Sequence, residues 1–232
     1  MKKTFILLMV LMVSAGGLFA QQSGQWTSGG RLGMAFGFNN SADFGSLLRN
    51  EVRDEIFLDT GIWIPVSVSD NMRMNFNFAL YANHAFSDRL SLQAELNFMI
   101  NQGYELELSV LGISETVDII YSSLDIPILV RYTLINSPLI FGIQGGPHIS
   151  IPLGDGEISG GGMSGNIPIR TSATFGLTAG ILAGHQVGSG RIIGDMRFLF
   201  DFNEVEAREF GQTISFMQRR ALLFTIGYEV SF

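Results

Sequence analysis

The sequence predicts an all-β fold, an eight-stranded antiparallel up-and-down transmembrane β-barrel with short periplasmic turns and four long outer loops. Three observations predict it. The chain is 47% hydrophobic and only 15% charged, yet beyond the N-terminus no apolar run approaches the ~20 residues a spanning helix needs. Eight segments alternate apolar and polar residues with the two-residue period of a strand that faces lipid on one side and a lumen on the other. The connections between them alternate short and long, as in a barrel inserted from the periplasm. A membrane-spanning structure that is not helical has to be a closed barrel, because an open sheet edge leaves backbone groups unsatisfied in hydrocarbon.

The first alternating segment runs from about Trp26 to Phe38, with Leu32, Met34, Phe36 and Phe38 on the lipid side and Arg31 inward. The second runs from about Met72 to Phe86, with Met74, Phe76 and Phe78 outward and Arg73, Asn75, Asn77 and Tyr81 inward. The third starts near Arg89 and sets Leu90, Leu92, Leu96 and Phe98 against Gln93, Glu95 and Asn97. The fourth, about Tyr121 to Leu134, turns Asp125 and Arg131 inward, and Pro127 within it demands a bulge or local break. The fifth covers about Leu139 to Ser150, and the sixth about Arg170 to His185. The seventh carries Met196, Phe198, Phe200 and Phe202 outward with Asp195, Arg197 and Asp201 inward. The eighth ends the chain, with Leu222, Phe224, Ile226, Tyr228, Val230 and Phe232 outward and Glu229 inward. Aromatic girdles place Phe86, Tyr132 and Phe232 at the periplasmic rim and Phe38, Phe98 and Phe202 toward the outer one.

Turn formers join three of the segment pairs, at Ser87-Asp88, at Asn136-Ser137-Pro138 and at Val187-Gly188-Ser189-Gly190. The other connections are long: about 39 to 71, 101 to 120, 151 to 169 and 203 to 215. The glycine-rich stretch from Gly154 to Gly165 reads as a flexible outer loop, without the context of a phosphate cradle. Ile62 to Val68 extends a strand above the membrane.

The N-terminus reads as a secretory signal peptide over residues 1–20. Lys2 and Lys3 form a basic region, Phe5 to Val13 an apolar one, and Ser14 to Ala20 a small-residue stretch with cleavage expected after Ala20. Leu18 is bulkier than usual at the third position before such a cut. Residues 21–232 then form the outer-membrane barrel domain. With no Cys, neither a lipid-modified N-terminal cysteine nor a disulfide framework is available. Neither a peptidoglycan-binding C-terminal domain nor an N-terminal plug domain is expected.

Lys2 and Lys3 are the only lysines, so residues 21–232 carry 12 Arg against 21 acids, a net charge of −9 (12 − 21). That sign disfavours nucleic acid. The inward set is Arg31, Arg73, Arg131, Arg197 and Arg219 with Glu95, Asp125, Asp195, Asp201 and Glu229. Eight strands leave an interior just wide enough for side chains, and balanced charge suits a cross-linked plug, with a narrow ion path as the alternative. Acidic residues crowd the long loops: Glu51, Asp54, Glu55 and Asp59, then Glu105, Glu107, Glu115 and Asp118, and finally Glu204, Glu206 and Glu209. They are read as solvated, with divalent cations or cation-bridged lipopolysaccharide as the competing use.

The segments SLDIPILVRYTL (Ser123 to Leu134), FGIQGGPHISIPLG (Phe141 to Gly154), HAFSDRLSLQAELNF (His84 to Phe98) and LLFTIGYEVSF (Leu222 to Phe232) resemble the outer-membrane β-barrel domain of the porin-family/PorT-like type. The likeness spans residues 21–232 and implies a fold, not an activity. The closing Tyr228, Val230 and Phe232 resemble the C-terminal signal read by the barrel-assembly machinery. His148-Ile149-Ser150 superficially resembles the His-x-Ser of lipid A deacylases, with Glu157 the nearest acid in sequence. The surrounding pattern of that family is missing, and His148 is expected at the rim.

The expectation is therefore a non-enzymatic, integral outer-membrane barrel without cofactor or metal, acting through its outer loops in envelope integrity, adhesion or surface contact. The alternative is a narrow channel or PorT-like secretion accessory, and a lipid-modifying hydrolase is more remote. Expected partners are outer-membrane lipid and lipopolysaccharide, with periplasmic chaperones and the assembly machinery during biogenesis; a secretion-complex or host-surface partner is left open.

Overall fold

The computed structural model describes residues 26–38, 42–136, 139–160, 162–171, 173–209 and 212–231. The signal segment, Phe232 and the turn residues Ser137 and Pro138 lie outside them. In chain order the elements are β1 (Trp26–Gly37), α1 (Ala42–Thr60), β2 (Val66–Asn71), β3 (Arg73–Ala85), β4 (Leu90–Val110), β5 (Ile113–Asn136), β6 (Leu139–Pro152), β7 (Gly156–Gly160), β8 (Met163–Ile167), β9 (Thr174–Val187), β10 (Gly190–Asp201), β11 (Val205–Glu209), β12 (Gln212–Met217) and β13 (Arg220–Ser231).

Eight of these strands close on themselves. β1 pairs with β3, β3 with β4, β4 with β5, β5 with β6, β6 with β9, β9 with β10, β10 with β13, and β13 with β1, all antiparallel. Hydrogen-bonded partners lead from Trp26 through His84, Leu92, Val130, Gly145, Ala179, Phe198 and Leu222 back to Phe36. That return point lies ten residues (36 − 26) along β1 from the start. Ten residues of stagger over eight strands tilt each strand by roughly 40° to the axis of the ring.

The outer surface of the ring is apolar on every strand. Leu32, Phe76, Leu92, Val130, Ile143, Leu177, Met196 and Ile226 all point out and are exposed. At the short-turn end Trp26, His84 and Phe86 form an aromatic rim, with ring centroids 4.5 Å and 5.0 Å apart. Inside, alternate positions are buried and mostly polar, with Leu129, Ile140, Leu182 and Ile193 among the apolar exceptions. Among the described residues no helix is long and apolar enough to cross a membrane.

β4 and β5 outgrow the ring, and their polarity inverts as they do. On β5 the inward column reads Arg131, Leu129, Asp125 and Ser123 within the ring, then Tyr121, Ile119 and Val117 beyond it, all buried. The outward column changes from Val130 and Ile128 to Asp118 and Thr116. β4 makes the same change through a bulge between Met99 and Gln102. Asn101 sits there at φ 56°, a conformation Asn tolerates better than most residues. The extra residue shifts parity, so that Gln102, Tyr104, Leu106 and Leu108 turn inward and Glu105 and Glu107 outward. A wall that is apolar outside and polar inside thus becomes one that is polar outside and apolar inside.

The expected loop from 101 to 120 is therefore a strand pair, joined by the turn Leu111-Gly112. β2 and β7 pair with the two edges of that hairpin and β8 adds to β7, making a five-stranded outer sheet. Gly154 to Gly165 is not a flexible loop, because β7 and the start of β8 form within it. Gly160 permits the pairing: a Cβ there would meet the Thr116 carbonyl oxygen at 2.2 Å, and its φ is +108°. The segment from 203 to 215 begins the separate β11–β12 ribbon, which runs on to Met217. The first long connection holds α1, whose Gly61 caps it at φ +68° by donating its amide to Phe57 O at 2.7 Å. Val52 of α1, Val205 of β11 and Met217 of β12 cover the apolar face of the outer sheet, over Tyr104, Leu106, Leu108, Val117, Ile119 and Ile167.

Phe98 lies near the outer end of the apolar band on β4, three residues before the inversion at Asn101.

Candidate functional site: a filled lumen and an acidic outer end

The inward side chains form three ionic groups stacked along the ring. At the short-turn end Arg131 Nη1 lies 3.2 Å and Arg191 Nε 2.6 Å from the Glu229 carboxylate. Arg131 also donates to Gln93 Oε1 at 2.9 Å.

In the middle, two guanidiniums meet two carboxylates. Arg31 Nη1 is 2.8 Å from Asp195, and Arg197 contacts Asp195 at 2.8 Å and Glu95 at 3.0 Å. Gln93 links this group to the first, accepting from Arg31 at 3.2 Å and donating to Glu95 at 2.8 Å. The Arg31 guanidinium also lies 4.1 Å over the Tyr81 ring.

An apolar layer of Ala35, Met99, Leu199, Ala221 and Leu223 follows. In the third group Arg219 bridges Asp125 at 2.7 Å and Asp201 at 3.1 Å. His148 Nε2 lies 2.7 Å from Asp201 Oδ1, and its Nδ1 lies 3.0 Å from Thr178 Oγ1. Thr174 donates to Asp201 at 2.6 Å, and Ser123 to Asp125 at 2.9 Å. The outer sheet's apolar core lies beyond Gln102 and Tyr121.

Nine of the ten charged residues assigned to the lumen come together in these groups. Arg73 does not: its partner is Asp118, on the extension of β5, and both are partly exposed. Arg73 stands at the start of β3, where β2 has already turned away to pair with β4. Arg191 takes its place inside, so five guanidiniums face five carboxylates. The signal for Arg191 is the alternation of 191, 193 and 195 carried back to the turn.

His148 is also corrected, from the rim to the buried interior. Ser150 is buried too, facing the same side of β6. The acid at His148 is Asp201, 53 positions away in sequence, rather than the nearby Glu157. Tyr228 and Val230 stand on the outward face of β13, where Tyr228 Oη donates to Val187 O at 3.2 Å. Among the described residues no group of three or more His, Cys, Asp or Glu is placed to hold a metal ion.

Charge is unevenly divided along the molecule. Residues 39–71, 101–120, 151–172 and 203–218 together contain 4 Arg and 15 acids, net −11 (4 − 15). The remainder of residues 26–232 contains 8 Arg and 6 acids, net +2 (8 − 6).

No family model matches the sequence, and no curated protein does. Among solved structures the chain is similar to Neisserial surface protein A (NspA), at 12% identity and TM-score 0.50, over 89% of this chain and 97% of that one. It is also similar to the outer membrane protein OprG from Pseudomonas aeruginosa, at 10% identity and TM-score 0.47, over 90% of this chain and 97% of that one. Ail, the attachment invasion locus protein of Yersinia pestis, gives 10% identity and TM-score 0.43, over 88% and 99%. At such identities the likeness to NspA speaks for the fold alone.

Proposed function

We propose that the chain is a non-enzymatic, integral outer-membrane β-barrel with a plugged lumen, which acts through its outer end. The observation that carries the reading is the inversion of wall polarity. An apolar outer surface on all eight ring strands would leave a soluble protein with a far larger exposed patch than such proteins carry, and in a bilayer it faces hydrocarbon. The polar-out, apolar-in arrangement beyond Gln102 and Tyr121 fits a segment standing in water. On this reading the long connections face outward and the tight turns face the periplasm.

Three features support a plug. Five guanidiniums and five carboxylates are mutually paired, an apolar layer crosses the interior, and the outer sheet, α1 and the β11–β12 ribbon pack an apolar core above it. The hydrolytic alternative loses its support, because His148 and Ser150 lie inside the wall and both ring nitrogens of His148 have other partners. The Pro-containing β5 and the closing β13 support a place beside porin-family/PorT-like barrels. The long, acidic outer end supports adhesion or surface contact as its use, with a basic or cation-bridged partner.

The test joins two measurements on refolded protein. Unboiled samples should migrate differently from boiled ones on gels, as closed barrels do, and planar bilayers should show no steady conductance or sugar-sized flux. Robust flux would sink the plug, and absence of heat-modifiability would sink the barrel.

A further inference from the structure

The short-turn end of the ring holds a recess of about 430 Å³, within the size range of small-ligand sites. Its lining includes Asn83, Arg89, Ser91, Arg131, Arg191 and Glu229. From these residues we infer that the recess is a binding site for a small oxyanion, a carboxylate or phosphate carried on a polar ligand. In the orientation proposed above that ligand would come from the periplasm.

Charge is the first argument. Three guanidiniums, Arg89, Arg131 and Arg191, line the recess against two carboxylates, Asp88 and Glu229. The surplus of one positive charge stands in a chain whose overall balance is strongly negative. Arg131 and Arg191 approach the same carboxylate, Glu229, at 3.2 Å and 2.6 Å. Glu229 takes Nη1 of Arg131 and Nε of Arg191, and the remaining N–H donors of the two forks suit a planar oxyanion.

The second argument is a buried polar group without a partner. Asn83 is 5% exposed, and its Nδ2 donates to Thr27 Oγ1 at 3.2 Å. Its Oδ1 is buried with no hydrogen-bond partner. Oxygen and nitrogen of such an amide are interchangeable by a flip. With Thr27 donating instead, the amide NH₂ would turn toward a bound oxyanion, satisfying a group whose burial is otherwise costly. The hydroxyls of Ser87, Ser91 and Thr133 complete a neutral, donor-rich lining.

The full refolded protein in lipid nanodiscs, ¹⁵N-labelled, is titrated at constant ionic strength with inorganic phosphate and with an N-acetylated dipeptide bearing a free carboxylate. The dipeptide amide and sodium chloride serve as controls. Saturable shifts of the Asn83 side-chain amide and the Thr133 backbone amide are expected, with the Thr174 amide in the third ionic group unmoved. Saturation by phosphate alone assigns a phosphate-bearing ligand, and saturation by the peptide alone assigns a carboxylate-bearing one. Arg191→Gln should weaken the affinity about tenfold or more. Arg89→Gln, at an exposed position of the recess lining, keeps the test valid if R191Q fails to fold, and should weaken it too. Non-saturating drift, equal shifts in chloride, or unchanged affinity in both variants overturns the site. Each of these results is separate from the conductance outcome.

Discussion

Arg219 holds together two acids from strands on different sides of the ring, Asp125 on β5 and Asp201 on β10. Replacing it with Gln leaves two buried carboxylates short of a cation, and breaking a buried pair in this way costs about 3–5 kcal/mol. A lowered urea midpoint for loss of the heat-modifiable band should report that cost, and adding Asp125→Asn should recover part of it. A glycine governs the middle group in a different manner. Gly227 lies directly opposite Arg31 across the β1–β13 pair. A Cβ at Gly227 would stand 2.6 Å from Arg31 Cγ and 2.1 Å from the Gly30 carbonyl oxygen. Gly227→Ala should therefore push Arg31 off Asp195 and destabilise the barrel by about 1–3 kcal/mol, visible in the same unfolding assay. If G227A unfolds like the parent, the close packing of Arg31 against β13 is not required.

The β4–β5 hairpin beyond the bulge separates two layers of the molecule. Replacing residues 105–118 by a tight turn should leave the ring intact, because its eight pairings lie below that level. The replacement should nonetheless uncover Val205, Met217 and Val52, raising binding of a hydrophobic dye while heat-modifiability persists. Loss of the barrel band would show instead that the outer sheet is needed to close the ring.

This hairpin also marks where the sequence stopped being legible. The ring strands could be read because each keeps one sense of alternation, apolar to lipid and polar to lumen. The run Tyr104-Glu105-Leu106-Glu107-Leu108 alternates equally well, but in the opposite sense after an unannounced bulge at Asn101. Its glutamates suggested a solvated loop when they line one face of a sheet. α1 was missed for a related reason. Its apolar positions 48, 52 and 56 recur every four residues, a helical period that a search at period two passes over. Within the lumen, alternation reached the right side chains but not their partners, since Arg31–Asp195 and Arg219–Asp125 join positions 164 and 94 residues apart (195 − 31 and 219 − 125). Pro127 announced a local break, and the β5–β6 ladder skips there, from Pro127 opposite His148 to Val130 opposite Gly145.

At the scale of the whole molecule, a balanced wall carries a strongly acidic outer end. The ring is closed by β1 against β13, through pairs such as Thr27 with Ser231, 204 positions apart (231 − 27). Until that last seam forms, β1 and β13 each present an unpaired edge, and no smaller set of strands can hide it. Joining such distant segments is slow, because chain-closure entropy must be overcome before the contacts that reward it exist. The nascent chain has to be kept from aggregating through its open edges for the whole of that wait, and a lesion in β13 alone should leave every other strand without a fold to join.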